Sequence, residues 1–361
     1  MKKNIEIYLK SVSTKNISKK SYLKFTRSSY FLYKALFEPV TLVNNKVSNY
    51  KDDISYNIIT DGLLAYLPFE AFITEQADTS KINYWGLPYL CKEYIINYAF
   101  SVNIHSENIK TKTAEKNNNI LAMSYSSSAD QGGVDGNQKS EGELPYSGNE
   151  IKEISNFFDQ ADLFSYENAT ETQFKLMAHK FAIIHLAIHG QGDSINIYNS
   201  KLLFNTEANS ADDGQLHAYE LYNIDLSQNQ LSVLSSCESG LGKQLEGEGI
   251  FSIARAFAYA GSPAIIMSLW KINDKSSSMI MKFFYKNLSE GINKDKSLQL
   301  AKISYIENSD EINAHPANWA AFIATGNNKP IKLEVGISWG SYAITIFLIL
   351  LISFGVYKYF K

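Results

Sequence analysis

Apolar and polar positions alternate along the chain with a period that changes from segment to segment. Between residues 18 and 37, Tyr22, Leu23, Phe25, Phe31, Leu32 and Leu36 recur at helical spacing and predict an amphipathic helix, which Pro39 is expected to end. The run ISYNIIT at 54–60 is rich in β-branched residues and closes on an Asp61-Gly62 turn, so it reads as a strand. Further strands are predicted at 94–100 and 119–125. The stretch SSSADQGGVDGNQKSEGE (126–143) holds almost nothing apolar and reads as a long flexible loop.

Beyond that loop the period switches repeatedly. Helices are predicted at 149–158, 170–178, 248–260, 274–289 and 293–306. Between them lie strands at 162–166, 181–188 (FAIIHLAI), 230–236 (QLSVLSS) and 263–269 (PAIIMSL). Near-continuous apolar strands separated by helices specify an α/β fold with a mostly parallel sheet covered by helices on both faces. In such a sheet, chemistry gathers at the carboxyl ends of the strands.

The last pattern is uniformly apolar. From Ile337 to Val356 run twenty residues without a charge, long enough for a hydrocarbon core of ~30 Å. Trp339 and Tyr342 stand at one edge, Tyr357 and Tyr359 at the other. The expectation is a linker at 329–336, a transmembrane helix at 337–357 and a tail at 358–361. The opening MKKNIEIYLKSVS has no sustained apolar run, so no signal peptide is expected and the bulk is placed on the cytoplasmic side of a membrane. Lys329 and Lys332 before the span balance Lys358 and Lys361 after it, so charge alone leaves the orientation unset.

Composition narrows the function classes. The 361 residues are 45% hydrophobic and 20% charged, which excludes wholesale disorder. A formal charge of −3 gives no general attraction to nucleic acid, and none is expected as a partner. Arg27 and Arg255 are the only arginines, and Cys91 and Cys237 the only cysteines. Two cysteines build neither a disulfide framework nor a four-thiolate zinc site. No metal or organic cofactor is implied.

Two strand ends carry candidate chemistry. The strand at 181–188 runs into His189-Gly190, and the strand at 230–236 into Cys237-Glu238-Ser239-Gly240. A free thiol has a pKa of ~8.5, so a nearby imidazole is needed to form the thiolate and can later protonate a leaving amine. Glycine allows backbone N–H groups to meet a developing oxyanion, with Gly190 and Cys237 the natural donors. Spacing alone leaves open the alternative of a buried inert cysteine. His185 is expected to be a core histidine with a backbone partner, or else a support for His189. His315, before Pro316, fits the start of a helical turn, and Cys91 reads as an inert apolar filler.

The motifs HLAIHG (185–190) and VLSSCESGLGK (233–243) resemble the CHAT domain, a caspase-like family often found beside tetratricopeptide repeats. IITDGLLAYLPFEAF (58–72), LPYLCKEYIINYAFS (87–101), GEGIFSIARAFAYAGSPAIIMSLWKINDKSS (247–277) and HPANWAAFIATG (315–326) resemble further parts of it, in order, over roughly residues 22–326. Ile188 departs from the small residue more common before the family's histidine. The resemblance implies a caspase-like α/β sandwich, with a degenerate half at 1–117 and a catalytic half at 118–328. It also implies a His189–Cys237 dyad for peptide-bond hydrolysis, a protein substrate, and an activating protein partner such as a tetratricopeptide-repeat region in the same or another chain. The glycine-rich 238–249 stretch is the part expected to move on activation.

Scarce arginine makes an acid-reading pocket hard to build, while carboxylates are plentiful near the site. The expectation is cleavage after a basic or apolar residue, with Asp193, Glu238 or Asp274 as pocket contacts; solvated loop carboxylates are the alternative. Two other readings stand beside the peptidase: a catalytically idle scaffold and a membrane-bound sensor.

Overall fold

The structure, a computed structural model, describes residues 1–47, 54–110, 119–126, 144–193, 196, 199–206, 212–235, 242–245 and 249–331. The helices are α1 (Lys2–Ser13), α2 (Lys19–Leu32), α3 (Glu38–Val47), α4 (Val102–Lys110), α5 (Ser147–Ser155), α6 (Glu171–Met177), α7 (Ile253–Tyr259), α8 (Asp274–Ser289) and α9 (Lys294–Glu307). The strands begin with β1 (Ser55–Ile58), β2 (Ile95–Tyr98), β3 (Ile120–Ser124), β4 (Ala161–Ser165) and β5 (Ile183–Ala187). They continue with β6 (His189–Gln191), β7 (Lys201–Leu203), β8 (Gln215–His217) and β9 (Leu231–Leu234). The series ends with β10 (Gly242–Leu245), β11 (Gly249–Ser252), β12 (Ala264–Ser268) and β13 (Phe322–Gly326).

Strands β3, β5, β9 and β12 are buried at every position, as parallel strands covered on both faces must be. They belong to one eight-stranded sheet in the order β1-β2-β13-β12-β9-β5-β3-β4. Every neighbouring pair is parallel except β12 and β13, which run antiparallel. The sheet is therefore two parallel blocks of opposite polarity meeting at that seam. One face of the larger block carries α5 and α8, whose Glu150 and Tyr285 reach His185 on β5. Period two turns Ile184 and Leu186 to the opposite face, and α6 and α7 meet each other through Phe174 and Phe257, with centroids 6.2 Å apart. The α/β sandwich with a mostly parallel sheet expected from the sequence is the fold observed.

In the smaller block, α1 and α2 cover an aromatic cluster. Tyr8 meets Phe72 at 5.1 Å, Tyr22 meets Tyr84 at 5.1 Å and Tyr89 meets Trp319 at 4.9 Å. Edge-on pairs of this kind add to the area they bury. The Tyr8 hydroxyl donates to the Pro68 carbonyl at 2.8 Å, fixing α1 on the segment after the Asp61-Gly62 turn. That turn forms as expected, with Gly62 at a φ of 66° and its N–H held by Asp61 Oδ1.

Strands β6, β7, β8 and β13 and helix α4 have no counterpart among the expected elements, and four further differences bear on the fold. Helix α1 was not anticipated, yet it buries Ile5, Tyr8 and Val12 along one stripe. Pro39 does not end the helix begun at Lys19. A π-helical turn at Tyr33–Phe37, in which the Glu38 N–H reaches back to the Tyr33 carbonyl, widens the backbone and lets α3 continue through the proline. The helix expected at 248–260 starts only at Ile253. Upstream of it, β10 and β11 pair antiparallel from Gly242↔Ser252 to Leu245↔Gly249, so part of the stretch expected to move is strand.

The fourth difference is the membrane span. No helix among the described residues is long and apolar enough to cross a membrane. The longest regular α-helix among the described residues, α8, has 16 residues and carries Asp274, Lys275, Lys282 and Lys286, whereas a span needs about 20 predominantly apolar residues. Residues 337–357 lie outside the described residues. Among the described residues the fold is the sandwich with no membrane-spanning helix, so the expected transmembrane helix, membrane contact and cytoplasmic placement find no support there.

Candidate active site

In the larger block, β3, β4, β5, β9 and β12 follow one another along the chain but lie side by side as β4-β3-β5-β9-β12. This is the 2-1-3-4-5 order, whose switch point falls between β3 and β5. In open sheets of this kind, ligands bind beyond the carboxyl ends of the two strands at such a point. Tyr125 stands immediately past β3, and His189 just past β5. Their rings meet edge to face, with centroids 4.5 Å apart and planes at 71°. The Tyr125 N–H donates to the Ala187 carbonyl at 3.0 Å, so the tyrosine is pinned to the strand that delivers the histidine.

The main chain of His189 and Gly190 is held from the other side by a three-stranded ribbon. In it, β6 pairs with β7, placing His189 opposite Leu203 and Gly190 opposite Leu202, and β7 pairs with β8. Leu202 and Leu216 are fully buried and anchor the ribbon. Both His189 and Gly190 are half-buried, which leaves each partly exposed.

Strand β9 lies directly beside β5 in parallel, from Ile183↔Leu231 to Leu186↔Leu234. Ser235 is the last described residue on this path; Cys237 and Glu238 lie outside the described residues. The Ser235 hydroxyl donates to Glu150 Oε1 at 2.6 Å and lies 2.9 Å from Ser277 Oγ. The same Glu150 oxygen is 2.9 Å from His185 Nε2, and His185 Nδ1 is 3.1 Å from the Tyr285 hydroxyl. His185 is fully buried and Glu150 is 1% exposed. The backbone partner expected for His185 is thus replaced by two side chains. Its strand pairs with β3 on one side and β9 on the other, so the main chain is committed to the sheet and the covering helices must satisfy the imidazole.

Sequence reasoning missed both Glu150 and Tyr125. Glu150 stands one helical turn before Ile154, on the buried stripe of α5, and a carboxylate on an apolar stripe is a detectable signal. Tyr125 is the final residue of a predicted strand, at the sheet end where chemistry was expected.

Asp274 opens α8 just after the N-cap Asn273. Its Oδ2 accepts the Tyr146 N–H at 2.5 Å. Burial raises its pKa to about 6; the Tyr146 N–H opposes that rise and Glu150 adds to it. Asp274 and Ser277 share a narrow cleft with Ser235, Ile272 and Phe322. Asp193 is placed differently. Its carboxylate accepts the Asn196 N–H and the Asn199 amide, each at 2.9 Å, and so organises its own turn.

The remaining candidates are quiet. Cys91 is fully buried, and burial pushes its thiol up to about 12, which leaves it protonated and inert. His315 caps the short turn Pro316–Asn318 through Nδ1, which accepts the Ala317 N–H at 3.0 Å; burial holds its pKa down to about 4. Among the described residues no three His, Cys, Asp or Glu side chains gather as a metal site.

Tetratricopeptide repeat protein 28 of Mus musculus is 31% identical over 130 residues, 36% of this chain and 5% of that protein. The Homo sapiens protein of that name is 30% identical over 116 residues, 32% of this chain and 4% of its own length. The chain thus matches only a small part of these curated relatives. Among solved structures, the Arg-specific cysteine proteinase gingipain R is similar with a TM-score of 0.49 and 10% identity, over 82% of this chain and 70% of that one. Separase in a Saccharomyces cerevisiae separase–securin complex gives 0.49 and 11%, over 91% of this chain and 20% of that one. The model of the CHAT domain matches residues 26–327, nearly the whole of the described sandwich, and the chain belongs to the CHAT domain family.

Proposed function

We propose that this chain is a caspase-like cysteine endopeptidase with a His189–Cys237 dyad. The observation that carries the reading is the register of β5 against β9. Leu186 faces Leu234 across the sheet, and His189 and Cys237 each stand three residues further along their chains. Chain connectivity adds a bound: Cys237 follows Ser235 by two residues, and consecutive Cα atoms are only ~3.8 Å apart. Both points support a reading in which the thiol shares a strand mouth with the imidazole.

In this mechanism His189 takes the Cys237 proton, and the thiolate attacks the scissile carbonyl. Backbone N–H groups of Gly190 and Cys237 hold the oxyanion. His189 then protonates the leaving amine, and water hydrolyses the resulting thioester with His189 again as base. Tyr125 presents its ring against the imidazole and limits its swing, as a positioning residue. A tetratricopeptide-repeat region in the same or another chain is the proposed activating partner, in keeping with the repeat-protein relatives. An idle scaffold is the rival reading, and the presence of both dyad residues argues against it.

The test is a thiol-directed acyl probe applied to the full chain. Cys237 is expected to be labelled in wild type and at least ~100-fold more slowly in His189→Ala, the range general-base assistance supplies. Equal labelling rates in the two proteins would remove the dyad. A comparison of new protein amino termini between cells expressing wild type and Cys237→Ala then names substrates.

Asp274 is the proposed pocket contact for a basic residue before the cleaved bond; Glu238 joins it as a second proposed contact, and Asp193 as a third at the rim. A carboxyl held near 6 is ionised above that pH and neutral below it. The preference for lysyl or arginyl over apolar peptides is therefore expected to fall about tenfold per pH unit below 6. Measuring the ratio of kcat/KM values for the two peptides cancels the titration of His189 and Cys237, which both share. A ratio that stays flat from pH 7 to pH 5, or that survives Asp274→Asn, excludes this contact.

A further inference from the structure

The first turn of α8 separates two clefts. Ile272, Asp274 and Ser277 face the narrow cleft beside Ser235. Lys271, Asn273, Lys275 and Ser276 line a different one, of about 600 Å³, closed by Lys15 beyond α1 and by the segment from Asn308 to Asn318 beyond α9. A volume of this size is typical of small-molecule sites.

The lining of the larger cleft is cationic. Lys15, Lys271 and Lys275 contribute three ammonium groups, and Asp310 the one carboxylate among its lining residues. Asp310 is turned into its own loop: Oδ1 accepts the N–H groups of Ile312 and Asn313, and Oδ2 accepts the Asn313 amide. Lys15 Nζ donates to Asn313 Oδ1 at 2.8 Å. None of the three lysines forms an ion pair with a carboxylate among the described residues. Like charges gathered round one cavity repel until a counter-charge enters.

The chemistry of the lining selects the kind of anion. Lysine presents a compact point charge suited to phosphate oxygens rather than the planar fork arginine offers a carboxylate. The one aromatic in the lining, Tyr305, is buried and its hydroxyl meets Ser276 Oγ at 2.9 Å, so a nucleobase finds no ring to stack on. Ser276 is also where the cleft grips the helix: its N–H is bonded by the Asn273 side chain, and its neighbour Ser277 lies on the Ser235 side.

We propose that this cleft binds a compact, phosphate-rich anion such as a linear triphosphate, and that its occupancy sets the α8 turn and thereby the cleft holding Asp274 and Ser277. The binding claim stands independently of peptidase chemistry, whereas the regulatory claim rests on the reading of Cys237 as nucleophile.

The experiment titrates sodium tripolyphosphate into the Cys237→Ala chain by calorimetry. Saturable one-site binding is expected, weakened by added salt and reduced about tenfold or more in the K271E/K275E variant. Lys271→Met/Lys275→Met, which adds no negative charge, should show an intermediate loss. ATP should bind no more tightly than tripolyphosphate. No saturation at millimolar tripolyphosphate, an affinity unchanged in both double variants, or a clear preference for ATP would each overturn the binding claim. In the chain retaining Cys237, saturating tripolyphosphate should change the alkylation rate of that thiol in wild type but not in K271E/K275E. An unchanged rate overturns the regulatory claim alone. Failure of the dyad itself would be read from His189→Ala, leaving the calorimetry intact.

Discussion

Replacing Glu150 by alanine is expected to destabilise the chain by about 3–5 kcal/mol, the range found when one member of a buried ionic or charge-assisted pair is removed. The reason lies in what the carboxylate holds. One oxygen meets both His185 Nε2 and the Ser235 hydroxyl, and the other lies 3.5 Å from Ser277 Oγ. Alanine strands the imidazole in a site with no solvent, and each buried donor left unpaired costs about 1–3 kcal/mol. Ser235 also loses the contact that fixes the end of β9, two residues before Cys237. Glu150→Gln retains an acceptor of the same reach and should recover much of both losses. Urea unfolding measures the stability, and alkylation of Cys237 in the folded fraction measures the positioning. If Glu150→Ala unfolds within about 1 kcal/mol of wild type, the buried network is not a structural element. If it is destabilised but Cys237 reacts at the wild-type rate, Glu150 supports the fold without positioning the thiol.

Lys302→Met is expected to have a comparable effect at the far side of the sheet. Lys302 on α9 meets Glu70 Oε1 at 2.9 Å, and the Tyr98 hydroxyl donates to Glu70 Oε2 at 2.6 Å. The lysine side chain is 1% exposed and the glutamate 5%, so neither charge has water to fall back on. Removing the lysine leaves the carboxylate with one neutral donor and should cost about 3–5 kcal/mol. Methionine keeps most of the aliphatic volume, which isolates the charge from a packing loss. Adding Glu70→Gln removes the stranded charge and should restore a large share of the stability, giving a favourable coupling in a double-mutant cycle. Additive losses would mean that the two charges act independently. The pair ties the segment before β2 to a helix of the carboxyl-terminal half, so its loss should loosen the seam between the two parallel blocks.

Much of the architecture was legible in the linear order of residues because the relevant forces are short-ranged. Continuous apolar runs such as FAIIHLAI and PAIIMSL announce strands buried on both faces, and turn residues mark where they end. The positions of His189 and Gly190 at such an end follow from the same local signal. Helices at 274–289 and 293–306 were likewise readable from their period, and the structure places α8 and α9 there almost residue for residue.

Other features depend on which distant segments meet, and no local pattern encodes that. The pairing of Glu150 with His185 joins residues 35 apart, and that of Lys302 with Glu70 joins residues 232 apart. Each looks like an ordinary polar residue until the sheet brings its partner within reach. Pro39 carries a local instruction to stop, which a π-helical turn absorbs because α3 continues past it. The uniformly apolar carboxyl-terminal stretch satisfied a length rule, while no described helix meets it. Strand order and the antiparallel seam were decided only in three dimensions. The sequence alone determined the buried central strands β3, β5, β9 and β12 and the residues at their tips; the tertiary structure decided which tips are neighbours and added the ribbon strands and β13, because hydrogen-bonded register acts between segments far apart in the chain.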